Sequence, residues 1–361
     1  MPQRKNILVI GAGIIGASIA YHLARDGARV TILDAGQGGG IATRYSWAWI
    51  NASWGNPEPY FRLRMRAMHE WRRLAADVPD VGLRWPGGLL WDIEPDELAA
   101  YVAGHAGWGY DIRFVDRAEA LRLEPNLAPS SVPERAAHVR EEGVVEPETA
   151  ALALIRAAEA KGAVLKSGVK VLRLTRQGDR ITGVVTDHGE ITADHVVLAV
   201  GAATTELAAT AGIRVPTVAP PGLLVVTQPV PPLLNGLVMA PELHVRQRSD
   251  GRLIAGADFG GTDPGSEAKE VAEGTMVAMR ALMRSDIKRE LDHFTVGYRP
   301  MLPDDLPAVS AAPGIDNLYV AITHSGITLA PALGLFAAEE ILGGTRDPLL
   351  TPYSIARFAL R

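Results

Sequence analysis

Gly11, Gly13 and Gly16 stand in G-x-G-x-x-G order near the N-terminus, and Asp34 follows them. Residues of these types at this spacing suit the binding of a pyrophosphate and its ribose. Gly11 permits a tight turn, Gly13 lets a phosphate approach the backbone, and Gly16 lets a helix pack closely on a strand. Free N–H groups and the helix dipole at the following helix N-terminus favour the negative charge. A carboxylate about 20 residues on can accept hydrogen bonds from ribose. A glycine triplet by itself is weak evidence, so the surrounding elements decide. Residues 7–10 are an apolar run suited to a strand buried on both faces. Residues 14–25 read as a helix with Ile15, Ile19, His22 and Leu23 near one face, and residues 29–33 as a second strand ending at Asp34. Strand, glycine turn, helix, strand and acid together form a dinucleotide-binding unit.

A competing reading exists for the same stretch. Residues 6–24 carry no charge and follow Arg4 and Lys5, as a signal peptide or membrane anchor would. Three glycines at fingerprint spacing and the strand and acid that follow argue against it. At 361 residues the chain suits two connected domains rather than one core. A hydrophobic fraction of 47%, a charged fraction of 21% and a net charge of −5 fit a globular protein with no electrostatic case for nucleic acid or anionic membrane. With no cysteine, disulfides, thiolate metal sites and cysteine nucleophiles are excluded. The nine histidines are scattered without ligand spacing, so no metal site is expected.

Beyond Asp34 the glycine-rich residues 35–40 call for unusual backbone angles or close approach to a ligand. Residues 41–53 would present Thr43, Arg44, Ser46 and Asn51 beside the nucleotide. Residues 60–77 read as a basic amphipathic helix whose Arg62, Arg64, Arg66, Arg72 and Arg73 form a solvated face. Strands are expected within 83–93, then a helix over 95–106, a strand over 111–115 and a helix over 117–123. Residues 126–135 read as a loop, 148–161 as a helix, and 164–173 and 181–186 as strands. A short buried strand over 196–200 closes on Gly201, and 204–211 form a helix. Residues 215–257 suggest an antiparallel sheet, followed by a helix over 267–283 and a strand over 292–299. A buried strand over 318–322 and a helix over 329–342 return to the style of the first unit. Buried, parallel-type strands near residues 7, 30, 196 and 319 mean that the nucleotide domain is assembled from separated pieces.

Taken together, these motifs resemble the flavoproteins of the D-amino-acid oxidase, glycine oxidase and sarcosine oxidase family. The resemblance covers almost the whole chain. It rests on the glycine unit with Asp34, on Gly143-Val-Val-Glu-Pro-Glu-Thr149, and on Val196-Val-Leu-Ala-Val-Gly-Ala202. Gly297-Tyr-Arg-Pro-Met-Leu-Pro-Asp-Asp-Leu-Pro307 and Thr323-His-Ser-Gly-Ile-Thr-Leu-Ala-Pro331 complete it. The fold it implies is α/β with mixed α+β character. A discontinuous Rossmann-like FAD domain (1–80, 140–212 and 300–361) would hold an inserted mixed β-sheet substrate domain (81–139 and 213–299). The cofactor implied is FAD, and the reaction is hydride transfer from the amine-bearing carbon to flavin N5, giving an imine that hydrolyses. Implied cofactor contacts are Gly11, Gly13, Ile14, Ile15, Gly16, Asp34, Ala35, Gly40, Thr43, Arg44, Ser46, Val169, Gly201, Arg299, Gly326, Ile327 and Thr328. Implied catalytic residues are Arg299, which would pair with a substrate carboxylate, and His324. Guanidinium suits that role because its planar fork meets a carboxylate bidentately and stays charged. Arg44, Arg246 and Arg248 are the next candidates.

Two departures from the family pattern matter. With no cysteine, FAD would be held non-covalently. The stretch Gly251-Arg-Leu-Ile-Ala-Gly256 lacks the lysine that promotes reaction with oxygen in sarcosine oxidases. The implied substrate is an amino acid or a secondary (N-alkyl or cyclic) amino acid, a small molecule bearing an amine and a carboxylate, with oxygen, a quinone or a partner subunit as acceptor. The alternatives are an FAD-dependent 2-hydroxy-acid dehydrogenase and the FAD-binding subunit of a heteromeric amino-acid dehydrogenase. The expected setting is the cytoplasm, with no nucleic acid and no integral membrane segment.

Overall fold

The computed structural model describes residues 4–53, 56–256, 263–284 and 288–358. The first apolar run becomes strand β1 (Asn6–Ile10), the glycine turn opens helix α1 (Ile14–Arg25), and β2 (Arg29–Asp34) follows. Residues 6–24 are therefore a strand and a helix of the core rather than an anchor. β1 lies at the centre of a six-stranded sheet in the order Ala308–Ala311, Leu318–Ile322, His195–Leu198, β1, β2, Val164–Ser167. Its neighbours pair in parallel, Ile7 opposite both His195 and Val30, and only Ala308–Ala311 runs antiparallel. Such a sheet is covered on its faces, so its strands can be apolar throughout.

The last α-helix, α3 (Gly326–Gly343), and the helix Pro147–Glu159 pack against α1, and helix α2 (Glu58–Asp77) packs against α3. By length and composition α3 could cross a membrane, but every residue from 327 to 338 is buried in the core. Its closest approach is to α1 at Gly334. A Cβ there would lie 2.2 Å from Ser18 Oγ and 2.7 Å from His22 Nδ1, so only glycine lets the helices meet. Pro331 has no N–H to give the Ile327 carbonyl one turn earlier. The Trp71 indole N–H, from α2, donates to that carbonyl at 2.9 Å instead.

The second sheet has eight strands, ordered β3 (Leu291–Tyr298), Pro221–Thr227, Leu253–Gly256, Leu243–Gln247, Leu237–Ala240, Gly88–Leu90, Arg135–Val139, Ile112–Asp116. Its strands come from residues 88–139 and 221–298. Several sequence expectations change. Residues 164–173 are not one strand: Gly168, at φ +69°, breaks the run. Val164–Ser167 joins the parallel sheet, and Val171–Gln177 pairs in a separate three-stranded sheet. Within 83–93 only Gly88–Leu90 is a strand, and Arg135–Val139 begins at the last residue of the expected loop. α3 starts three residues earlier than expected, at Gly326. The short pair Trp49–Ile50 with Gly143–Val144, missed by alternation because each strand has two residues, pins the loop after β2.

Candidate active site

The carboxyl ends of the parallel strands open onto one cavity of about 1740 Å³, whose far wall is the eight-stranded sheet. That is where ligands bind in open α/β sheets. The volume exceeds the 300–1,000 Å³ or so that a drug-sized ligand fills. It has room for a dinucleotide with a substrate beside it.

At one end lies the glycine turn. Gly11 has φ +98°, and a Cβ there would sit 2.4 Å from the Ala199 carbonyl oxygen. Gly13 caps α1 without a side chain. Gly40, at φ +70°, approaches so closely that a Cβ on it would lie 2.6 Å from Gly13 Cα. Thr43 Oγ1 accepts the Ile14 N–H at 3.1 Å, taking one of the orphan donors of the helix start. Asp34 also does something the spacing did not disclose. Its two oxygens accept the Ala12 and Gly36 N–H groups, each at 2.7 Å, so it clamps the glycine turn. A carboxylate has about four acceptor positions, which leaves capacity for ribose. Arg44 pairs with Glu148 at 2.6 Å, both half-exposed at the rim.

Of the residues expected to touch a cofactor, Gly11, Gly13, Ile14, Ile15, Asp34, Ala35, Gly40, Thr43, Arg44, Ser46, Val169, Gly201, Arg299, Gly326, Ile327 and Thr328 all line this cavity. Gly16 does not; it packs against the Gly11 carbonyl, where a Cβ would be 1.9 Å from the oxygen. Thr328 lines the wall, but its hydroxyl is engaged with the Trp49 carbonyl and the Asn51 N–H. Ser46 Oγ accepts the N–H of Ala48, a buried non-glycine residue at φ +63°. This strained turn carries the side chains of Trp47 and Trp49, which also line the cavity.

Arg299 and His324 line the same cavity, close enough for the guanidinium charge to act on the ring. Arg299 follows β3, its N–H bonded to the Pro220 carbonyl at 3.0 Å and its Nη2 to the Pro221 carbonyl at 2.8 Å. Gly222 lies beneath the guanidinium: a Cβ there would be 3.5 Å from Arg299 Cζ. His324 is exposed, and it lines the cavity. Burial, then the Arg299 and Arg64 guanidiniums, lower its pKa to about 4.

Arg64 corrects the sequence reading. Within the helix expected to show a solvated basic face, it is only 5% exposed and lines the cavity. Its Nε and Nη2 donate to the Asn51 carbonyl (3.0 Å) and Oδ1 (2.5 Å), and its Nη1 to Ser325 Oγ (2.7 Å). The signal was present, since Phe61, Arg64, Met68 and Trp71 recur at i, i+3, i+7 and i+10, one buried stripe. Arg246 and Arg248, the reserve carboxylate candidates, instead share Glu146 and do not line the cavity. His244 lines it and bonds the Asp92 carboxylate through Nε2. Glu142, fully buried, accepts from Ser53, Trp49 and Tyr110, and burial pushes its pKa up to about 7.

Residues 6–340 match the family model described as FAD-dependent oxidoreductase, DAO. The chain is 29% identical over 370 residues to the glycine oxidase of Pseudomonas aeruginosa, covering 96% of this chain and 97% of that protein. Its fold matches L-proline dehydrogenase of P. horikoshii with a TM-score of 0.88 at 25% identity, covering 99% of both chains. It also matches glycine oxidase of Geobacillus kaustophilus with a TM-score of 0.87 at 25% identity, covering 98% of this chain and 99% of that one.

Proposed function

The chain belongs to the DAO family of FAD-dependent oxidoreductases, and from that premise we propose that it oxidises the C–N bond of an amino acid or N-substituted amino acid. The observation that carries this reading is the cation Arg299 lining the same cavity as the glycine turn, with a histidine kept neutral in its field. The glycine turn, where Gly13 and Gly40 carry no side chain and the loop closes on the helix start, fits a pyrophosphate. FAD held there without a covalent tether would supply the two-electron acceptor for the substrate's hydride.

The protein's share is binding and orientation. Arg299 takes the substrate carboxylate through its fork, while Pro221 and Gly222 set the plane of that fork. Neutral His324 adds no positive charge that would repel a substrate ammonium. Trp47, Trp49 and Tyr60 give the cavity apolar wall that displaces water from around the reacting carbon. The discontinuous division of the chain into an FAD-holding and a substrate-holding part belongs to this proposal too. So does the cytoplasmic setting. The lysine-free strand Leu253–Gly256 supports a quinone or partner subunit over oxygen as acceptor. The experiment is anaerobic mixing of the FAD-loaded chain with primary, N-methyl and cyclic amino acids. Loss of the oxidised flavin absorbance, with ammonia or amine released, is the expected result. Bleaching by 2-hydroxy acids alone would overturn it.

A further inference from the structure

We propose that the site reads a second anionic group on its substrate and that Arg64 reads it. The substrate class is then an amino acid carrying two carboxylates, the second on the side chain or on the nitrogen substituent. This deepens the amine-oxidising reading above and rests on it.

The starting observation is a buried charge without an acid. A guanidinium does not deprotonate, so a buried one needs an anion or pays heavily in lost hydration. Arg246, at 1% exposure, has Glu146 at 3.2 Å. Arg64 is nearly as buried, yet among the described residues its hydrogen bonds go only to neutral acceptors, Asn51 and Ser325. A guanidinium has five N–H donors, and these bonds use three of them. The Arg64 charge bears on the buried Glu142 carboxyl, lowering its pKa, but only as the least of the causes acting there. That carboxyl is occupied by Ser53, Trp49 and Tyr110 and lies outside the cavity lining.

The second observation is where this charge sits. Arg64 lines the same cavity as Arg299 and His324, and both guanidiniums act on the His324 ring. They come from different elements, α2 and the end of β3, and face one cavity. Of the four acids in the lining, Asp34 belongs to the nucleotide turn, Asp304 is paired with Arg357 at 2.8 Å, and neither Glu206 nor Asp305 bonds Arg64. Two bonds to Asn51 and one to Ser325 hold the Arg64 fork in a set orientation. That preorganisation is what a bidentate carboxylate contact requires.

The test uses inert acids, so it does not depend on turnover. The FAD-loaded chain is titrated with glutarate and with butyrate, following the visible flavin spectrum and heat of binding. Glutarate should bind roughly 10- to 150-fold more tightly, the range of one hydrogen-bonded contact to a charged group. Arg64→Met should bring the two acids close to parity, Arg64→Lys should keep part of the preference, and Arg299→Met should weaken both. FAD content and melting temperature check that each variant is folded; if Arg64→Met fails to load FAD, the parent ratio and Arg64→Lys decide. Equal binding of both acids by the parent, or an undiminished preference in a folded Arg64 variant, overturns the proposal. The amine-oxidising reading is scored separately. Bleaching by monocarboxylic amino acids without a diacid preference leaves that reading standing and removes this one. A diacid preference without bleaching by any amine does the reverse.

Discussion

Arg299 and His324 line one cavity, and the Arg299 charge reinforces burial in keeping the His324 imidazole neutral. A free histidine titrates near 6.5, and His324 does so at about 4.

The pH behaviour follows with a definite sign. Between pH 5.5 and 8 His324 stays neutral, so kcat/KM should show no break that His324→Gln removes. Between about pH 4 and 6.5 the unfolded chain binds the proton that the folded chain refuses, so stability falls as the pH falls through that window. In Arg299→Met one positive charge is gone and the pKa should rise. An NMR titration of the histidine ring protons checks both statements; a His324 that titrates near 6.5 in the parent contradicts them.

Gly40→Ala should impair FAD retention. It places a Cβ at φ +70° and 2.6 Å from Gly13 Cα. Backbone strain of this kind costs about 1–3 kcal/mol, or roughly 5- to 150-fold in affinity. Gly13→Val should abolish binding, because its side chain would occupy the approach of the pyrophosphate. Titrating the stripped protein with FAD reads both; full occupancy in Gly13→Val would show that the cofactor lies elsewhere.

Trp71→Phe removes the N–H that serves the Ile327 carbonyl, which Pro331 has left without its helical donor. An unsatisfied buried carbonyl costs about 1–3 kcal/mol. Thermal melting should show the loss, and Trp71→Phe/Pro331→Ala should recover part of it. A single variant as stable as the parent would mean that the carbonyl has another donor.

The flavin should leave entirely as FAD on acid or heat denaturation, since the chain has no cysteine to hold it. Absorbance of the supernatant after precipitation is the measurement. Yellow colour remaining with the precipitated chain would point to a covalent link through another residue.

The parts of the fold that were legible are those with strong local signals. The run 7–10, the glycine triplet and Asp34 name a strand, a turn and an acid without any tertiary information. Gly168 and Gly334 show the limit. A single glycine in an apolar run can mark a break between two sheets or a helix contact, and only the partner at 2.2 Å tells which. Asp34 was legible as an acid at the right distance, but its bonds to Ala12 and Gly36 depend on how the turn closes. Arg64 was hidden by its neighbours. Among Arg62, Arg66, Arg72 and Arg73 it looked like one more surface charge, although its helical spacing from Phe61 and Trp71 put it inside. The Arg299–His324 pairing joins residues 25 apart on different elements, and no local pattern specifies it.

The most direct test of the central claim is stopped-flow reduction of the FAD-loaded chain under anaerobic conditions, comparing the parent with Arg299→Met. The parent should be bleached by a carboxylate-bearing amine. Losing one partner of a buried charge pair costs about 2–5 kcal/mol, so Arg299→Met should lower the second-order rate of reduction by roughly 30- to 5,000-fold. Its flavin spectrum and FAD content should remain those of the parent, and Arg299→Lys should recover only part of the rate. Bleaching of Arg299→Met at the parent rate, or no bleaching of the parent by any amine, would contradict the account.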